Sequence, residues 1–86
     1  IETAYSILNG EYEVIEAEII ETSELINQEL KNTNLPKEIR IGAILRKEDI
    51  IIPTSDFVFQ KEDTVVFLAK RDQLSTVENM FRISSI

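Results

Sequence analysis

The 86-residue sequence contains no cysteine and no histidine. The first absence excludes a disulfide framework, a thiolate metal site and a cysteine nucleophile. The second removes the commonest general base and the usual zinc and copper ligand. Only two glycines, Gly10 and Gly42, are present, too few for the G-x-G-x-x-G turn that cradles a dinucleotide. Bases are also scarce: nine Lys and Arg stand against 16 Asp and Glu, a formal charge of −7. Binding to nucleic acid or an anionic membrane needs a basic face, so neither is expected as a partner. No apolar run approaches the ~20 residues that span a bilayer; the run Ile41 to Leu45, interrupted by Gly42, is far shorter. Direct membrane insertion is therefore not expected. A basic leader with an apolar stretch and a small-residue cleavage site is missing too. The chain opens on Ile1 instead of Met, and it reads as a cytoplasmic piece of a longer protein.

What is present is unevenly placed. Residues 1–30 hold eight glutamates (Glu2, Glu11, Glu13, Glu16, Glu18, Glu21, Glu24, Glu29) and no Lys or Arg, whereas residues 31–86 hold eight acids and all nine bases. The excess charge lies in the first third of a chain whose length suits one small domain with a single core.

Periodicity divides that domain into elements. Ala4, Ile7 and Leu8 are at helical spacing and suggest a short helical lead-in stopped by Asn9-Gly10; residues 1–10 are read as a lead-in from an upstream domain and 11–86 as the domain proper. From Glu11 to Glu21 the period becomes two, with Ile15, Ala17 and Ile19 on one face and Tyr12, Val14, Glu16, Glu18 and Ile20 on the other, a half-buried strand. Thr22 and Ser23 offer N-cap hydroxyls to a short amphipathic helix through Leu25, Ile26, Glu29 and Leu30. Ile39 to Arg46 predicts a strand in which Gly42 marks a bulge or a close backbone approach. A turn at Lys47-Glu48-Asp49 leads to Ile50–Ile52, ended by Pro53. Thr64 to Ala69 is apolar on both faces, the pattern of a strand covered on both sides. Asp72 can cap a last helix whose Leu74, Val77, Met80 and Phe81 form one stripe. The expected fold class is α+β: a small β-α-β-β-β-α domain with two helices packed on a mixed or antiparallel sheet.

Several of these segments together resemble a known family. Glu13-Val14-Ile15-Glu16-Ala17-Glu18-Ile19, Leu30 to Pro36, Arg40-Ile41-Gly42-Ala43-Ile44-Leu45-Arg46, Ile51-Ile52-Pro53 with Asp56, Glu62-Asp63-Thr64-Val65-Val66-Phe67 and Val77 to Ser84 follow one another as in the C-terminal regulator-of-potassium-conductance domain (RCK-C, or TrkA-C), above all as found in cytosolic subunits of Trk-type potassium uptake systems. The resemblance covers about residues 11–84. It implies a non-enzymatic regulatory domain that pairs with a second copy of itself and acts, through the full-length protein, on a membrane potassium transporter subunit. It further implies a preceding Rossmann-like domain, where any NAD(H) or ATP would bind; no cofactor site is expected in these residues. The family usually has glycine where Asn27, Asn34 and Glu62 stand. Asparagine tolerates positive φ, so Asn27 and Asn34 are expected to keep the backbone, whereas Glu62 suggests a different turn.

Two residue sets are candidate sites. Glu16 and Glu18 share a strand face roughly 6–7 Å apart. A solvated face is the plain reading, and a divalent cation site is the functional one. No signal drives their pKa values apart, so a catalytic carboxylate pair is not expected. The second set is Asn34, Arg40, Ile41, Ile52 and Pro53, which in related domains lie at a cleft between paired copies that can bind cyclic di-AMP. Ile41 and Pro53 would meet the bases, and Arg40, with Lys37 nearby, the phosphates; ordinary pairing contact is the alternative. Such a ligand-sensing role would also suit the C-terminal domain of another channel, antiporter or permease. Asp56 and Asp63 read as turn residues, and Phe57, Phe59 and Phe67 as core.

Overall fold

A computed structural model describes residues 2–81, with side chains from Ser6 onward. The closing Arg82 to Ser84 of the resemblance lies outside the described residues. Five strands, β1 (Glu2–Ile7), β2 (Tyr12–Glu18), β3 (Ile39–Arg46), β4 (Asp49–Ile51) and β5 (Thr64–Lys70), are followed by one α-helix, α1 (Leu74–Phe81). The strands form a single sheet in the order β1-β2-β5-β3-β4, and every neighbouring pair is antiparallel. The α+β class and the antiparallel sheet agree with the sequence reading.

Alternation fixes which face is buried. Ile15 and Ala17 of β2 lie opposite Phe67 and Val65 of β5, and all four are buried, together with Ile39 and Ile44 of β3 and Ala69. Against this inner face pack Leu25, Phe59 and the α1 stripe Val77, Met80 and Phe81. The rings of Phe67 and Phe81 stack in parallel with centroids 5.1 Å apart, and Phe57 meets Phe59 edge-on at 5.3 Å. The three phenylalanines read as core are thus placed there, Phe57 at its margin. Gly42 sits where the β3–β5 register slips between Ile41 and Ala43, the bulge expected of a strand glycine.

The helical lead-in is corrected to a strand. Residues 2–7 pair along β2, with Tyr5 opposite Val14 and Ile7 opposite Tyr12. Leu8, Asn9 and Gly10 all take positive φ (54°, 58° and 88°). Asn-Gly is a hairpin signal as well as a helix stop, and here it reverses the chain between two strands.

The helix expected over Leu25–Leu30 is also absent: the segment is a series of turns ending in a 3-10 turn, Leu30–Asn32. Ser23 Oγ does accept from the Leu25 amide at 3.1 Å, as a cap would, while its hydroxyl donates to the Met80 carbonyl at 2.7 Å. Asn27 then takes φ 67°, which breaks a helix. The amides of Asn27, Leu30 and Lys31 donate to the carbonyls of Phe59, Phe57 and Ser55, each at 2.8 Å. Non-local backbone pairing therefore replaces the i→i−4 ladder. Glu62 also takes φ 75°, the left-handed backbone that glycine favours, so its turn needs no other geometry. Asn34 is not among the positive-φ residues.

Candidate functional site

β3 is eight residues long, but β4 pairs only with Ile44, Leu45 and Arg46. On the side away from β5, residues 39–43 have no strand partner among the described residues. Pro36 shapes the approach to this open edge: its carbonyl accepts the Ile39 amide at 3.0 Å, closing a turn into β3. Beside the edge lies a groove of about 320 Å³, lined by Leu35, Pro36, Lys37, Arg40, Ile41 and Pro53 among others.

The groove has apolar walls and two cations. Lys37 and Arg40 are exposed, form no ion pair among the described residues, and face no carboxylate in the lining. In a chain of net charge −7 this is a local reversal of sign. It suits an anion carrying an apolar body and offers a hard cation no carboxylate. Arg40, Ile41 and Pro53 of the expected set are thus brought together. Asn34 instead lines a smaller pocket of about 170 Å³ with Gln28, Asn32 and Met80, and Ile52, 72% exposed, stands outside the groove lining.

Glu16 and Glu18 point away from the core and are exposed. Because β2 is flanked by β1 and β5, they occupy a sheet face, not an edge. No group of three or more Asp or Glu arranged to hold a metal occurs among the described residues.

Two ion pairs lie outside what the sequence pattern reveals. Asp63, read as a turn residue, does accept the Gln60 amide at 2.9 Å. It is also buried and takes two hydrogen bonds from Arg46, through Nε and Nη2, both 2.8 Å. The Arg46 guanidinium also donates to the Val58 carbonyl at 3.0 Å and lies 5.0 Å above the Phe57 ring. Hydrogen bonding to Asp63 holds the Arg46 pKa above its ordinary value. This cluster clamps the 53–63 loop, which bears Pro53, onto the end of β3. The signal was the β3–β5 register, since Leu45 opposite Thr64 brings the next residue of one strand beside the preceding residue of the other. Buried Glu13, on the inner side of β2, meets Arg71 at 3.4 Å. Asp56 keeps the turn role expected of it: its carboxylate accepts from the Thr54 hydroxyl, which lowers its pKa.

The chain is similar to known proteins in sequence and in fold. The TrkA-C domain model matches residues 14–82. The Trk system potassium uptake protein TrkA of Azorhizobium caulinodans is 40% identical over 84 residues, covering 98% of this chain and 18% of that protein. A TrkA homolog of Archaeoglobus fulgidus is 34% identical over 64 residues, 74% of this chain and 15% of that protein. The chain thus spans less than a fifth of the length of these curated relatives. Among solved structures, the RCK_C domain dimer of S. agalactiae BusR in complex with c-di-AMP superposes with a TM-score of 0.72 at 21% identity, covering 86% of this chain and 95% of that one. An RCK domain with cda gives 0.70 at 16% identity, covering 80% and 97%; both likenesses concern the fold.

Proposed function

This chain belongs to the TrkA-C domain family, and from that premise we propose that it is the regulatory domain of a Trk-type potassium uptake subunit. In this role it works as a pair of copies at the inner face of the cell membrane and controls a membrane potassium transporter subunit without catalysing a reaction. The observation that carries the reading is the 40% identity to the Azorhizobium subunit along nearly the whole chain, over a region that includes every strand of the sheet and α1. No described helix is long and apolar enough to cross a membrane, which accords with action on a separate membrane subunit. Nucleotide recognition, through NAD(H) or ATP, is assigned to a Rossmann-like domain elsewhere in the parent polypeptide. Such a module transmits a signal only if a ligand binds its alternative shapes unequally. Complementation tests the reading: cells whose own Trk subunit is replaced by the Azorhizobium protein carrying this chain in its matching segment should grow at limiting potassium. A stable chimera that fails to support growth would overturn it.

The groove favours a second reading, in which the domain itself senses cyclic di-AMP. Its support is the pairing of Lys37 and Arg40 with the apolar walls of Ile41 and Pro53, together with a fold neighbour described in complex with that dinucleotide. Calorimetry of the chain with cyclic di-AMP should give saturable heat that Arg40→Ala weakens at least ~tenfold, as for a lost charge-assisted phosphate contact. No heat at millimolar ligand would remove this reading.

A further inference from the structure

Residues 24–34 form turns instead of a helix, and their side chains gather over a pocket of about 170 Å³ against the last turn of α1. Its floor is apolar, made by Leu25 and Met80, both buried. Ser23 fixes that floor, accepting from the Leu25 amide and donating to the Met80 carbonyl. The walls are polar: Glu24, Gln28, Asn32, Thr33 and Asn34. Hydrogen bonds within the walls decide what they present to a ligand. The Asn32 side-chain nitrogen donates to Glu29 at 3.1 Å, which leaves the Asn32 carbonyl oxygen as the free end. The Thr33 hydroxyl gives its proton to the Leu30 carbonyl at 2.7 Å, which leaves oxygen lone pairs. The Glu24 carboxylate has no hydrogen-bond or ion-pair partner among the described residues and can only accept. No Lys or Arg belongs to the lining.

A recess with acceptors on its walls, one negative charge and an apolar floor excludes most ligands. An anion is repelled by Glu24. A hard divalent cation is held best by several carboxylates, and the lining has one. An alkali ion gains nothing from Leu25 and Met80, and an uncharged apolar body leaves the acceptors unpaired. A primary ammonium group, in contrast, has three donors and no acceptor, and a short alkyl stem lies along apolar surface while its head stays polar. The volume equals that of about five or six waters, room for a nitrogen and a stem of about four carbons. The geometry points to a binding site for a primary alkylammonium ion, its head held by Glu24, Asn32 and Thr33 and its stem on Leu25 and Met80. Gln28 and Asn34 can each turn a further carboxamide oxygen to the head. Thr33 also lines the cationic groove beside β3, so two neighbouring recesses select opposite charges. The site depends neither on the pairing of copies nor on a dinucleotide.

NMR titration of the isotope-labelled chain with n-butylammonium chloride, at constant ionic strength, tests this. The side-chain amide signals of Gln28, Asn32 and Asn34 should shift saturably, with half-saturation at roughly 1–10 mM for so small a ligand. Potassium chloride and n-butanol, which supply the charge and the stem separately, should each bind about tenfold more weakly or worse. Glu24→Gln keeps the shape of an exposed side chain and removes its charge, and it should weaken butylammonium about fivefold or more. The same head group occurs on free diamines and on lysine side chains. A four-carbon diamine and a lysine blocked at both backbone ends separate these sources: binding of either supports the site, and the tighter of the two names the source. Butylammonium shifts matched by potassium chloride or by n-butanol, or left unchanged by Glu24→Gln, would overturn the proposal.

Discussion

Arg46 and Asp63 are joined by two parallel hydrogen bonds of 2.8 Å across the end of the β3–β5 ladder. Their side chains are not equally buried: Arg46 keeps 27% of its exposure and Asp63 only 1%. Arg46→Met leaves a buried carboxylate without its cation and should cost roughly 3 kcal/mol, a large share of the ~5–15 kcal/mol typical of a folded domain. Asp63→Asn leaves a guanidinium that can turn to water, and should cost less. Urea unfolding of both variants checks the order; equal losses would contradict the clamp as described.

At Glu62 the backbone sits at φ 75°, where a side chain is strained and glycine is not. Glu62→Gly should therefore raise stability by roughly 0.5–1 kcal/mol, since the relieved strain exceeds the added freedom of the unfolded chain. A thermal melt reads the sign directly, and a lower midpoint would argue against the left-handed turn.

Gly10 carries the opposite expectation. Its φ is 88°, and a Cβ there would meet the Arg71 guanidinium at 3.4 Å. Gly10→Ala should destabilise the β1–β2 hairpin by about 1 kcal/mol or more. Amide exchange along β1 and β2 should quicken ahead of exchange in β3.

The Asp56 carboxyl titrates below its ordinary value, chiefly because the Thr54 hydroxyl donates to it, with its own backbone amide assisting. A folded pKa below the unfolded one contributes stability above the ordinary aspartate range, and that contribution is lost as pH falls through the depressed folded value. NMR of the side-chain carboxyl carbon should show this low midpoint, and Thr54→Val should move it back up.

The strands were legible because their apolar positions alternate, as at Ile15, Ala17 and Ile19, and the Gly42 bulge was legible because a strand glycine has few other uses. The two helix errors share a cause. Ala4-Ile7-Leu8 and Leu25-Leu30 have helical spacing, but the backbone groups of each segment bond to partners remote in sequence, β2 in one case and the 55–59 loop in the other. Local pattern cannot report such partners. In the candidate site, Arg40, Ile41 and Pro53 line one groove, whereas Asn34 lines a neighbouring pocket and Ile52 stands outside both, a separation that only the folded turn before β3 reveals. Asp63 looked like a turn residue since its ion pair depends on the strand order β5-β3, which periodicity does not reveal.

The initial rate of potassium uptake by cells bearing the Azorhizobium subunit with this chain in its matching segment decides whether the domain serves Trk-type transport. The rate should lie well above that of the same subunit lacking the segment, and close to that of the intact protein. A folded chimera that takes up potassium no faster than the truncated subunit would contradict a regulatory role in Trk-type transport.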